Sequence, residues 1–340
     1  MARRVTLKQV AAQAGVSYQT VSKVLNRQVR VSKSTEMRIF EAAHELGYRP
    51  NHIARSLRSQ RSNLIGYSWA PAPPGQANFI LDQFLQSMTC AAESAGHHIL
   101  VFPHHPRDQW IEAYRELIDT NRVDGFVISS VEYNDTRIPF LEERKYPFIA
   151  FGRSNPDWEF PYVDVDGGAG MGSVVEHLVS LGHRSIAVLA WPEDSRVGNN
   201  RMEGLLEAAG RAGISFPDGW IMRGEGNHAF GYETTRRWLN LADGKRPTAV
   251  IAFNDEMAIG ALHAAQARGV QVGTGLAITG FDDAPMAQYI TPSLTTVRQP
   301  IEQVGAKLME ILLQILEGEK PAQSQILIQP RLVIRESTVP

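Results

Sequence analysis

From Leu64 onward the chain alternates short apolar runs with amphipathic stretches, and this alternation constrains the fold more than any other feature. The apolar runs are Leu64 to Tyr67, Ile99 to Phe102, Gly125 to Ile128, Phe148 to Phe151, Ser185 to Ala190, Ala249 to Phe253 and Leu276 to Thr279. Between them lie helical patterns over Phe79 to Ala95, Ala169 to Leu181, Arg201 to Ala212, Ala229 to Leu241 and Glu256 to Arg268. Strands buried on both faces read as continuous apolar runs, and parallel neighbours need a crossover helix between them. The pattern predicts an α/β body of doubly wound parallel sheets, and 340 residues leave room for two such lobes.

The first 62 residues do not share this pattern. They hold 12 Lys and Arg against Glu36, Glu41 and Glu45, a charge of +9 on a chain whose net charge is −2. A basic head on an acidic body predicts a module for a polyanion. Thr6 can cap a helix carrying Leu7, Val10, Ala11 and Ala14, and Gly15 is placed to end it. Ser17 can cap a second helix, Tyr18 to Leu25, with Val21, Val24 and Leu25 inward and Tyr18, Gln19, Ser22 and Lys23 outward. A third opens at Ser32 or Ser34, carries Ile39, Ala42, Ala43 and Leu46, and stops at Gly47. Two short helices around a glycine turn describe a helix-turn-helix, whose second helix enters the major groove. Tyr18, Gln19 and Lys23 are then the candidate base readers. Thr6, Ser17, Thr20, Ser22, Asn26, Arg30 and Asn51 are the candidates for phosphate, which positions the module without reading sequence. The segment after Pro50, with Ala54, Arg55 and Leu57, is too short to be a stable helix alone, and it suits folding on DNA with Leu57 as a minor-groove wedge.

Other function classes fit poorly. Cys90 is the single cysteine, so no intrachain disulfide or cysteine-rich zinc module is expected. No apolar run is long enough for a membrane span or a signal core, which predicts a cytoplasmic protein with no membrane partner. Gly167 to Gly172 is glycine-rich but breaks the Gly-x-Gly-x-x-Gly register at Ser173 and Val175, so it is expected to open a helix. His97, His98, His104 and His105 bracket a strand and are too widely spread for one metal ion. No catalytic residue, metal or cofactor is expected, and the chain does not read as an enzyme.

In open α/β sheets, ligands lie beyond the carboxyl ends of the strands. There the chain places Tyr67 and Trp69, Gly152 and Arg153, Trp191 with Arg201 soon after, Asn254 and Asp255, and Phe281, Asp282 and Asp283. Planar polar groups with aromatic rings suit a polyhydroxylated ligand. Singly each has a plain structural use, as Asn254 can cap the helix at Glu256 and Asp282 can cap a turn.

These segments together carry a resemblance. Gly15-Val16-Ser17-Tyr18-Gln19-Thr20-Val21-Ser22-Lys23-Val24-Leu25-Asn26, Leu46-Gly47-Tyr48-Arg49-Pro50-Asn51 and Ala54-Arg55-Ser56-Leu57 resemble the head of the LacI/GalR family of transcriptional regulators. Val123-Asp124-Gly125, Leu181-Gly182-His183-Arg184, Phe253-Asn254-Asp255, Gly280-Phe281-Asp282-Asp283 and Leu332-Val333-Ile334-Arg335-Glu336-Ser337 are similar to the family's periplasmic-binding-protein-like core. The resemblance implies a DNA-binding domain at 1–50, a hinge helix at 51–61 and a body at 62–340. It divides the body into one lobe of 62–163 and 292–326 and another of 164–291 and 327–340. It also implies a homodimer on a pseudopalindromic operator in double-stranded DNA.

Matched by motif, the effector cleft would hold Arg201, Asn254, Asp282 and Arg153, with Tyr67, Trp69, Phe79 and Phe281 as aromatic contacts. The body is further similar to the branch that senses α-glucosides and raffinose-type sugars, which implies a repressor of carbohydrate-use genes released by a sugar. The same regulator sensing a nucleobase, a nucleoside or a partner protein, or using its ligand as corepressor, stays open at this point. Lys23 stands where many members carry Arg, and it keeps the charge without the planar fork.

Overall fold

The computed structural model describes residues 5–25, 29–48, 61–69, 78–103, 110–242 and 244–339, and the chain divides into two compact units, 1–62 and 63–340. Among the described residues of the first unit, α1 (Leu7–Ala14), α2 (Tyr18–Leu25) and α3 (Lys33–Glu45) pack around Val10, Ala14, Val21, Val24, Ile39 and Ala42. Gln9 Oε1 accepts the Thr6 N–H at 2.9 Å, which closes the start of α1, and Gly15 at φ 63° ends the helix in the left-handed region that a side chain would strain. Ser17 caps α2 through the Thr20 N–H at 3.1 Å, and Ser32 caps α3 through the Thr35 N–H at 3.3 Å.

Among its described residues the second unit holds two six-stranded sheets. The first has the order β11-β5-β4-β3-β1-β2, built from β1 (Leu64–Trp69), β2 (His98–Pro103), β3 (Gly125–Ile128), β4 (Phe148–Phe151), β5 (Tyr162–Val165) and β11 (Gln325–Ile328), all parallel. The second has the order β12-β10-β9-β8-β6-β7, from β6 (Ile186–Ala190), β7 (Ile221–Arg223), β8 (Ala249–Ala252), β9 (Ala277–Asp282), β10 (Thr295–Arg298) and β12 (Arg331–Val333). Only the β10–β12 pair in it is antiparallel. Helices α4 (Phe79–Ser94), α5 (Trp110–Asp119), α6 (Arg137–Glu143) and α11 (Ile301–Leu316) cover the first sheet, and α7 (Gly167–Ser180), α8 (Arg196–Arg211), α9 (His228–Leu239) and α10 (Asp255–Ala267) cover the second. The doubly wound, two-lobed α/β body expected from the apolar runs is therefore the architecture observed.

The chain changes lobes at places other than those expected. The expected first lobe includes 292–326, yet β10 at 295–298 pairs with β9 in the second sheet, so this crossing falls between Arg298 and Ile301. Asp164 and Val165 still belong to the first sheet through β5, and β11 keeps residues 327–328 there too. Such short strands leave no periodicity from which a lobe can be read. The glycine run at 167–172 opens α7, capped by Asp166 through the Ala169 N–H at 2.9 Å, and lets two helices touch. A methyl group on Gly204 of α8 would overlap the backbone of Gly168.

Candidate functional site

On the first unit, α2 presents Tyr18, Gln19 and Lys23 to solvent on one face, while Val21 and Val24 fill the core. The hydroxyls of Thr6 and Ser17 are engaged at helix starts, where the free N–H groups of a first turn also suit a phosphate. Thr20 bonds the Ser17 hydroxyl at 2.8 Å, and Arg30 is exposed. Ser22 departs from expectation: it is buried, not turned outward. Asn26, Asn51, Ala54, Arg55, Leu57, Pro71 to Pro74, His104 and His105 lie outside the described residues. Among the described residues no helix is long and apolar enough to cross a membrane, and no group of three or more His, Cys, Asp or Glu is placed to hold a metal ion.

In the body, a cavity of about 780 Å³ opens where the carboxyl ends of β3, β4 and β5 meet those of β6, β8 and β9. Six of the eight effector candidates line it: Phe79, Arg153, Arg201, Asn254, Phe281 and Asp282. Tyr67 does not. It is fully buried in the core of the first lobe, its hydroxyl 3.0 Å from Ser129 Oγ, because β1 is covered on both faces and this ring points inward. Trp69, at the end of the same strand, packs half-buried against that core and is absent from the lining.

Arg201 sits at the floor. Its guanidinium carbon lies 3.6 Å from the centre of the Phe281 ring and 4.8 Å from that of Trp191, so the cation is in reach of both aromatic rings. It donates to the Phe253 carbonyl, and its Nη2 is 3.5 Å from Asp282 Oδ1. Asp282 also accepts Gln299 Nε2 at 2.7 Å, and at φ 120° its backbone turns sharply out of β9. Burial pushes the Asp282 carboxyl above its usual range, while Arg201 pulls it back down. Burial lowers the Arg201 guanidinium, against the pull of Asp282. The next residue diverges: Asp283 accepts Arg335 Nη2 at 2.6 Å and is also paired with Arg298, so the two adjacent acids serve separate purposes.

Asn254 caps α10 as expected, its Oδ1 accepting the Met257 N–H at 2.9 Å, and its Nδ2 donates to the Gly226 carbonyl at 2.7 Å. Arg153 donates to Asp164 at 2.8 Å, a carboxyl that burial raises and this arginine lowers.

Several lining residues were not among the eight effector candidates, although Asp255 and Trp191 stand at strand ends already named. Asp255 is almost wholly buried and accepts Thr296 Oγ1 at 2.5 Å and the Ala284 N–H at 2.7 Å. Burial, and then the nearby Asp282, push its carboxyl well above the usual range. Glu132 and Arg196 reach across from opposite lobes. Glu132 Oε2 accepts the Arg196 N–H at 2.6 Å, Arg196 Nε donates to the Ser154 carbonyl at 2.8 Å, and the guanidinium lies 5.5 Å from the centre of the Tyr133 ring. The available signals were the place of Asp255 beside Asn254 and of Arg196 one turn ahead of Arg201. Nothing in the sequence pointed to Glu132, which is brought in from 64 residues away.

Comparison with known proteins covers both units. Residues 6–51 match the family model of bacterial regulatory proteins, lacI family, and residues 175–338 match that of a periplasmic binding protein-like domain. The HTH-type transcriptional repressor PurR of Proteus mirabilis is 31% identical over 334 residues, spanning 98% of this chain and 96% of that protein. The solved structure of a LacI-family regulatory protein from Chloroflexus aggregans is 53% identical, covers 81% of this chain and 98% of its own, and superposes with a TM-score of 0.79. The lac repressor dimer bound to operator and the anti-inducer ONPF is 29% identical, covers 99% of this chain and 100% of its own, and has a TM-score of 0.85.

Proposed function

The chain belongs to the LacI family of bacterial regulatory proteins as a DNA-binding transcriptional repressor, and on that premise we propose that it controls carbohydrate-use genes and leaves its operator when a sugar fills the cleft. One observation carries the sugar reading: the half-buried Trp191 ring, the Arg201 guanidinium 4.8 Å from its centre and the partly exposed Asp282 carboxyl come together in the lining of the cleft. Such a surface can fork between neighbouring hydroxyls and cover the apolar face of a sugar ring.

The cytoplasmic protein acts as a homodimer on a pseudopalindromic operator, with α2 of each copy in the major groove and the 51–61 segments at the centre. The effector shifts operator affinity only by its differential affinity for two lobe arrangements. Operator binding followed by fluorescence anisotropy, with mono-, di- and trisaccharides added in turn, tests the reading. Release by at least one sugar is the expected result, and an operator complex indifferent to all of them overturns it.

Two further outcomes are expected. Lys23→Ala relaxes base choice at one position of each half-site by about 1–3 kcal/mol, whereas Arg30→Ala weakens all sequences alike. Anisotropy against a set of single-base operator variants separates the two. Tyr133 does not line the cavity but carries the latch between the lobes, with Arg196 over its ring and Asn199 Nδ2 at 3.4 Å from its hydroxyl. Tyr133→Ala leaves the ligand to close the lobes unaided, so half-release needs roughly two- to tenfold more sugar. An unchanged dose curve would show that the latch is equally made in both arrangements.

A further inference from the structure

We infer that His228 and His263 together form a surface site for one divalent cation of the Zn²⁺, Ni²⁺ or Cu²⁺ class. The inference rests on neither the sugar reading nor the operator.

Imidazole suits these ions, and it binds them through the lone pair of a neutral ring. Among the described residues, His228 and His263 are the two histidines whose rings face each other. His228 Nε2 lies 2.8 Å from His263 Nδ1, and the ring centres are 5.0 Å apart. The other two histidines of this lobe meet hydroxyls instead: His177 bonds Thr338 Oγ1 at 2.9 Å and His183 bonds Thr248 Oγ1 at 3.0 Å. Neither ring of the pair has another hydrogen-bond partner among the described residues. His263 is exposed and His228 half-buried, so an ion can reach them from water.

The helices fix where the rings stand. His228 opens α9 and His263 lies on α10, and the two backbones touch: a methyl group on Gly231 would overlap the Met257 carbonyl, and one on Gly260 would overlap the His228 carbonyl. The Tyr232 ring, one turn after His228, lies nearly parallel to its imidazole, with centres 6.2 Å apart. Ligands set in advance by such a frame cost little to order on binding.

The spacing is that of a chelate. In a tetrahedral shell with Zn–N bonds of about 2.0–2.1 Å, two nitrogens stand about 3.3 Å apart. In neighbouring positions of a tetragonal Cu²⁺ or Ni²⁺ shell with similar bonds they stand about 2.9 Å apart. The observed 2.8 Å is close to the second value, and a tilt of the rings that turns both lone pairs to one point replaces the hydrogen bond by a metal ion. The proton of that bond passes through water to the outer nitrogen of its own ring, so both rings stay neutral. Partial burial, and then the facing His228, lower the His263 imidazole below its usual range, which favours the ligating form. Among the described residues no group of three or more His, Cys, Asp or Glu completes a closed site, so water fills the rest of the shell.

Calorimetry on the untagged full-length protein, freed of metal with EDTA, tests this by titration with copper, nickel, zinc and magnesium chlorides. The pair should take Cu²⁺ most tightly, then Ni²⁺ and Zn²⁺, and Mg²⁺ not at all. His228→Ala and His263→Ala should each weaken binding by no less than the about 10–100-fold that loss of an outer-shell partner costs. His98→Ala, on the first lobe, should leave it unchanged. Melting curves without metal check that the variants are folded. Electron paramagnetic resonance of the Cu²⁺ form should show two nitrogen ligands in the wild type and one in either variant. No binding by the wild type, or equal binding by the wild type and the His228→Ala, His263→Ala double variant, overturns the inference and leaves the pair as a hydrogen bond alone.

Discussion

Arg201→Ala is expected to give a repressor that still holds its operator and no longer answers to its effector, with ligand affinity reduced by about 100-fold or more. The guanidinium lies 3.6 Å from the centre of the Phe281 ring and 4.8 Å from that of Trp191, and it links the Phe253 carbonyl to Asp282. Alanine removes the planar donor, empties the space beside the two rings and leaves the Asp282 carboxyl with Gln299 Nε2, at 2.7 Å, as its donor. Arg201→Lys keeps the charge but not the plane, so it should recover little of the affinity. Anisotropy on the operator without sugar checks that the DNA-binding unit is intact, and titration with sugar then reads the loss. Release at the wild-type sugar concentration would remove Arg201 from the site.

How much of this was legible beforehand depended on how local each signal was. The βα alternation needs only neighbouring residues, and it predicted both sheets. Arg201, Asn254, Phe281 and Asp282 were found because strand ends point at a ligand in this architecture, whatever the ligand is. The same rule misplaced Tyr67, since it identifies the end of a strand but not which side chain there turns into the core. The partners of these residues were not legible. Gln299 reaches Asp282 from the crossing after β10, and Glu132 reaches α8 across the cleft. Contacts between lobes depend on where the chain crosses, and strands as short as β10 and β11 leave that open. Ser22 shows the same limit at small scale, because its burial is set by the helices packed beside it.

The largest effect on stability is expected at Asp135, a residue that touches no ligand. Asp135 and Arg137 are both fully buried, with Arg137 Nη2 2.6 Å from Asp135 Oδ2 and Arg137 Nε 2.9 Å from Oδ1. The guanidinium lies 4.4 Å from the centre of the Trp110 ring and donates to the Ser129 carbonyl at 3.0 Å. Asp135→Ala leaves a buried cation unpaired, which costs about 3–5 kcal/mol and should lower the melting temperature of the body by about 5–10 °C. Removing both charges, as in Asp135→Ala with Arg137→Met, restores most of that stability, because two desolvated ions give way to apolar packing. Sugar affinity should not return with it. Arg137 fastens Ser129, and Asn155 donates to Asn134 Oδ1 at 2.8 Å, so the loop that carries Ser130, Val131 and Glu132 to the cleft is held from beneath by polar bonds. The double variant should therefore melt near the wild type and bind sugar more weakly than it. If calorimetry showed wild-type affinity in that variant, the ion pair would serve the fold alone.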